Sequence, residues 1–264
     1  EMGSVNPVFV MPEKMKSEYD SIAANLAGSI TLGVGQFCTN PGLIISMKND
    51  VLDLFISSLA EKISLTDAGK MLNNKIAENY IGKRNKMLEE KGIKPEGNSK
   101  VINGLANAAV VSVDAENFVS NPNLHEEVFG PFSLIIKCNG IDEMKEVAET
   151  LQGQLTATIQ ANKSELEEFH EIIDVVKNKV GRLIFNGVPT GVEVCSSMQH
   201  GGPFPATTDS RFTSVGTDAV LRWLKPISFQ NAPQELLPPA LRDENPLKLL
   251  RMVNGEFTRK NIVE

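Results

Sequence analysis

The chain has 264 residues, 41% hydrophobic and 22% charged, a balance that excludes disorder, collagen-like repeats and a disulfide scaffold. A formal net charge of −7 without long basic runs leaves no face for a phosphate backbone, so nucleic acid is not an expected partner. Cys38, Cys138 and Cys195 are odd in number and widely spaced, which reads as reduced thiols in a cytoplasmic protein.

In chain order, residues 8–11 are a short apolar strand, and Pro12 opens a helix to about residue 28. The uncharged stretch 21–47 carries eight polar side chains, four glycines and Pro41, so it reads as the buried middle of a domain and no membrane is expected. Residues 50–63 and 67–90 follow as helices, then strands at 107–113 and 132–137. A helix at 141–151, a strand at 155–160, a helix at 164–177 and a strand at 180–185 continue the alternation. Strands separated by helices of this length make parallel βαβ units, so the fold class is α/β with a mostly parallel sheet and helices on both faces. Residues 187–210 are a long loop, 218–224 a short helix and 226–230 a last short strand; the proline-rich remainder is an extended tail. The expected division is a catalytic domain over 1–224 and an oligomerisation strand with its tail over 225–264.

Chemistry concentrates in Gly33-Val34-Gly35-Gln36-Phe37-Cys38-Thr39-Asn40-Pro41-Gly42. Glycines before a cysteine admit a substrate carbonyl to the sulfur, and a turn leaves the Cys38 N–H free for an oxyanion. A buried core cysteine would also satisfy these residues, and both readings stay open on this segment alone. Cys138 ends an apolar strand and Cys195 lies in the loop; neither has such a setting. His125, His170 and His200 stand apart from each other and from the cysteines, without metal-ligand spacing, so no metal is expected.

The cysteine segment resembles the catalytic-cysteine motif of the aldehyde dehydrogenase superfamily. Glu1-Met2-Gly3-Ser4 resembles the family's upstream glutamate motif, and Glu126-Glu127-Val128-Phe129-Gly130-Pro131-Phe132 its Glu-Glu-Ile/Val-Phe-Gly-Pro motif. The three occur in family order, and the resemblance covers nearly the whole chain. The cysteine motif and the tail from Leu224 to Pro233 are similar to the branch that contains 2,5-dioxovalerate (α-ketoglutarate semialdehyde) dehydrogenases and NADP-dependent fatty aldehyde dehydrogenases.

The resemblance implies oxidation of an aldehyde to a carboxylate. Cys38 would form a thiohemiacetal and then a thioester, which water activated by Glu1 would hydrolyse. Glu127 would hold the nicotinamide-side ribose of NAD or NADP, with Phe129 near the nicotinamide. Asn186 would stand near the active-site floor and Phe204 on the substrate side. His200 is not expected to be a general base. No Gly-rich phosphate loop follows a strand here. The chain, which starts like mid-protein sequence, therefore reads as the catalytic half of a homo-oligomeric enzyme whose dinucleotide-binding domain lies elsewhere, and as inactive alone. A cysteine-dependent esterase or acyltransferase and a non-catalytic interaction domain remain the alternatives.

Overall fold

The computed structural model describes residues 1–262, in two units, Glu1–Arg222 and Trp223–Glu264; 224 was the expected boundary. In the first unit β1 (Val8–Val10) is only three residues long, because Pro7 precedes it and Pro12 starts α1 (Pro12–Thr31). The α1 N-terminus has no cap of its own. Glu165 supplies one, its carboxylate accepting from the N–H groups of Glu13 (2.7 Å), Lys14 (3.0 Å) and Asn162 (2.9 Å). Then come β2 (Leu43–Met47), α2 (Asp50–Ser64), α3 (Asn74–Glu89), β3 (Lys94–Asn98), β4 (Ala109–Asp114), α4 (Ala115–Ser120) and β5 (Phe132–Cys138). The unit continues with α5 (Ile141–Thr150), β6 (Gln154–Gln160), α6 (Glu165–Glu168), α7 (His170–Lys177) and β7 (Val180–Phe185).

Seven strands form one sheet in the order β3-β4-β5-β2-β1-β6-β7, parallel throughout except for β3, which runs antiparallel to β4 at one edge. Alternate side chains of each strand go to opposite faces. Val8, Val10, Ile44, Val110 and Ile135 pack with α1 and α2, whereas Phe9, Leu43, Ile45, Val111, Leu134 and Ile136 pack with Phe118, Met144 and Ile172 of α4, α5 and α7. Both faces are thus covered, as a parallel sheet requires.

Several expected elements differ in extent. The helix expected from residue 67 starts at Asn74, because Asn73 caps it through a bond from the Ile76 N–H (3.0 Å) and Gly69 bridges to Ala106 instead. The helix expected over 164–177 breaks at Phe169. Two strands of this sheet were missed: β2, a short apolar run without alternation, and β3, an exposed, bulged edge without apolar periodicity; the stretch expected as an extended tail also holds a two-stranded hairpin.

In the second unit a small hairpin forms from β8 (Arg251–Val253) and β9 (Glu256–Thr258), and the buried Asn245 side chain donates to the carbonyls of Leu249 and Arg259 (both 2.9 Å). Residues 226–230, expected as a strand, have no ladder partner and are irregular, with Ile227 64% and Phe229 47% exposed. An extended segment becomes a strand only when another edge takes up its N–H and C=O groups. Among the described residues no helix is long and apolar enough to cross a membrane.

Candidate active site

The segment before each of several parallel strands meets the others at the amino edge of the sheet. Residues 1–7 enter β1, 36–42 enter β2, 126–131 enter β5, and Gly153 and Lys179 precede β6 and β7. Buried polar bonds stitch these entries together. Gln154 Oε1 accepts from Ser4 Oγ (3.0 Å) and the Val5 N–H (2.7 Å), and Asn40 Nδ2 donates to the Gly130 carbonyl (2.8 Å). Ahead of the cysteine, Gly33, Val34 and Gly35 all adopt left-handed backbone (φ 55°, 59° and 64°). Gly35 has no alternative: a Cβ there would lie 2.2 Å from the Gly130 carbonyl carbon. Val34 holds its unfavourable conformation with its side chain against Gly69, where an added Cβ would come within 2.4 Å.

Cys38 is half-buried, and its Sγ lies 3.2 Å from Nε2 of His200. His200, which was not expected to be a general base, arrives there from the irregular segment after β7. The His200 N–H donates to Thr213 Oγ1 (2.8 Å), and the Ser214 N–H donates to the His200 carbonyl (2.9 Å). Gly201 lies against Gly181 of β7, and Gly202 against the Gln154 carbonyl of β6. Burial pushes the Cys38 thiol up, and the charges of Glu1 and Glu127 add to it, against the N–H groups of Cys38 and Thr39. Burial pushes the His200 imidazole down, helped by Arg182 and opposed by Glu1. Both shifts favour a neutral thiol beside a neutral imidazole. Nδ1 of His200 is buried without a partner, so an imidazolium would bury an unpaired N–H.

Glu1 sits beside this pair, with Arg222 Nη2 donating to its Oε1 at 3.2 Å. Burial pushes its carboxyl up, but the hydrogen bond from Ser214 and the charges of Arg222 and His200 oppose it, and the carboxyl lies below its ordinary value. Arg182 of β7 donates to the Pro189 carbonyl (2.8 Å), bracing the loop that carries His200.

Glu127 and Phe129 line a cleft of about 280 Å³ together with Tyr80 and Lys83. Glu127 Oε2 accepts from the Gly3 N–H (3.0 Å), while Lys83 Nζ donates to the Glu127 carbonyl (3.0 Å). Burial raises the Glu127 carboxyl, against the Gly3 bond and the Lys83 charge. The half-buried carboxylate and ring fit a sugar hydroxyl and a flat heterocycle, which is one end of a dinucleotide.

Two expected residues stand outside this cluster. Asn186 is at the carboxyl end of β7, six residues and about 20 Å along the strand from Val180, which is level with Gln154. There its amide brackets Ala161, accepting from its N–H and donating to its carbonyl (both 3.0 Å). Phe204 is 79% exposed on the turn over Gly153. His125 bonds to the Phe118 carbonyl and His170 to that of Glu167, so His200 is the one histidine at the sulfur. Sequence reasoning missed His200, Arg222 and Lys83, which come from distant segments; the histidine beside Gly201-Gly202 was the one local signal.

The chain belongs to the aldehyde dehydrogenase family, whose model matches residues 1–203. It is 42% identical over 97% of its length to alpha-ketoglutaric semialdehyde dehydrogenase 2 of Azospirillum brasilense, and 43% identical over 98% to alpha-ketoglutaric semialdehyde dehydrogenase of Acinetobacter baylyi. It spans about half the length of these curated relatives, 49% and 50%. The fold is also that of gamma-glutamyl-gamma-aminobutyraldehyde dehydrogenase from Burkholderia cenocepacia, with a TM-score of 0.61 at 20% identity over 76% of this chain and 41% of that one. A proline utilization A protein from Bdellovibrio bacteriovorus superposes with a TM-score of 0.70 at 20% identity, over 86% of this chain and 23% of that one.

Proposed function

We propose that this chain is the catalytic half of a cytoplasmic, NAD(P)-dependent aldehyde dehydrogenase that oxidises 2,5-dioxovalerate to the dicarboxylate. The observation that carries the reading is the meeting of Cys38, Glu1 and the Glu127–Phe129 cleft at one edge of the sheet. Relatives above 40% identity named for α-ketoglutaric semialdehyde favour that substrate over a fatty aldehyde.

The Cys38 thiolate attacks the aldehyde carbon, and its sulfur holds the resulting thiohemiacetal. NAD or NADP, bound mainly by a domain outside this chain, supplies the hydride acceptor. Glu127 and Phe129 orient its nicotinamide end. Glu1, kept ionised by Ser214 and Arg222, removes a proton from the water that cleaves the thioester. Residues 226–230 pair with an edge of a second subunit in the intact oligomer.

The test is NADH and NADPH production from 2,5-dioxovalerate and a fatty aldehyde series, by this chain alone and joined to the missing half, with Cys38→Ala as control. Cys38-dependent turnover of 2,5-dioxovalerate by the joined protein, and little by the chain alone, is expected. Robust turnover by the chain alone would place the cofactor site here instead.

The 3.2 Å Cys38–His200 contact favours a second reading, cofactor-independent acyl transfer through the same thioester. An activated ester would acylate Cys38 and expel its alcohol, and water would release the acid. Ester hydrolysis lost in Cys38→Ala and in His200→Asn would support it; hydrolysis unchanged by His200→Asn would remove the histidine from the chemistry.

A further inference from the structure

We propose that Asn6 is a positioning residue for the nucleophile, its side-chain amide fixing the Cys38–Thr39 and Asn40–Pro41 peptide planes so that the Thr39 N–H is aimed at the Cys38 sulfur. The inference rests on reading Cys38 as the nucleophile.

Asn6 is 1% exposed and stands in left-handed backbone (φ 46°), a conformation asparagine tolerates better than most residues. Its Nδ2 donates to the carbonyls of Cys38 (2.9 Å) and Asn40 (2.9 Å), with a longer contact to Ser4 (3.3 Å). Its Oδ1 accepts from the hydroxyls of Ser4 (2.8 Å) and Thr156 (3.1 Å). Only this amide orientation serves every partner, because carbonyls cannot donate.

The consequence follows from peptide planarity. The Cys38 C=O and the Thr39 N–H belong to one trans peptide and point in opposite directions. A carbonyl held on the Asn6 side therefore turns the Thr39 N–H to the other side, where, with the Cys38 N–H, it counters the rise that burial imposes on the thiol. Asn6 itself reaches only backbone oxygens and hydroxyls away from the sulfur, so it acts through the loop. It is also anchored outside that loop, on Thr156 of β6, which ties the sulfur's setting to the centre of the sheet.

The experiment follows alkylation of Cys38 by iodoacetamide against pH, peptide by peptide, in the 264-residue chain. Asn6→Asp keeps the shape but loses both donors, Asn6→Ala loses them without adding charge, and Thr156→Val loosens the amide while leaving it in place. Ser46→Ala is the control, a core hydroxyl bonded to the Val10 carbonyl (2.8 Å). Both Asn6 variants should react about tenfold more slowly at pH 7, with the pH profile moved up by about one unit, and Thr156→Val should move it the same way by less. Ser46→Ala should lower the melting temperature and leave the profile in place. Profiles that superimpose on the parent's in the folded Asn6 variants would overturn the proposal; if neither folds, an unmoved profile in Thr156→Val overturns it equally. Parent Cys38 no more reactive than Cys195 would remove the nucleophile reading itself, and the role of Asn6 with it.

Discussion

Gly181→Ala tests how closely the histidine loop is held to the cysteine. Gly181 is not in left-handed backbone, so the substitution carries no conformational penalty of its own. The added Cβ would lie 1.9 Å from the Gly201 carbonyl oxygen and 2.6 Å from its carbon. An ordinary carbon–oxygen contact is roughly 3.3 Å, so the two backbones must part by about 1.4 Å. Overpacking of this kind costs about 1–3 kcal/mol, and a unit of this size loses about 2–4 °C of melting temperature per kcal/mol. Gly201 is bonded to His200, whose ring is 3.2 Å from the sulfur, so the displacement carries the imidazole off Cys38. On the acyl-transfer reading, in which the imidazole serves the sulfur, misplacing it by about 1 Å can cost on the order of 10²-fold in rate. Thermal melts combined with thioester hydrolysis by Cys38-acylated protein read both effects. A melting temperature and a deacylation rate both equal to the parent's would show that the loop is not clamped on β7.

Cys138 gives a pH prediction. Burial, reinforced by Glu143, pushes its thiol up to about 12, whereas an unfolded thiol ionises near pH ~8.5. Its contribution to stability is thus whole below about pH 8.5 and is lost as pH rises toward 12. Above about pH 9, urea unfolding should fall more steeply for the parent than for Cys138→Ala, by one proton or about 1.4 kcal/mol per pH unit; equal slopes would refute this. Arg222→Met removes a cation from Glu1, so the Glu1 carboxyl should titrate at higher pH by NMR, and an unmoved midpoint would leave the Ser214 hydrogen bond as sufficient. Glu165→Ala leaves three N–H groups without their carboxylate and should cost about 3 kcal/mol in urea unfolding, against less than about 1 if water replaces it.

Three interior strands were legible, because Val8–Val10 and Phe132–Cys138 are mainly apolar runs and Gln154–Gln160 alternates apolar with polar residues. β3 was not, since Lys94-Pro95-Glu96-Gly97-Asn98 becomes a strand only because β4 offers an edge. In the site, Cys38, Glu1, Glu127 and Phe129 lie in contiguous motifs and could be read locally. The partners of Cys38 and Glu1 could not: His200 is 162 positions from Cys38, and Arg222 is 221 from Glu1. Such pairs are set by loops folding over strand entries, which no short-range pattern encodes. Asn186 failed for the complementary reason. Its place after an apolar strand was read correctly, but a strand has two ends and Cys38 is at the other one.

That polarity gives the molecule one edge that is free to change. The turns leaving β2 and β5, at 48–49 and 139–140, lie at the carboxyl edge, a full strand length from Cys38. Extra residues spliced there would lengthen surface turns without disturbing the strand entries that hold the sulfur, the carboxylates and the imidazole. The same additions at 36–42, 126–131 or 199–202 would separate the groups that must meet. Length variation between proteins of this architecture should therefore gather at the carboxyl edge, and reporter or binding segments grafted there should leave Cys38 as reactive as before.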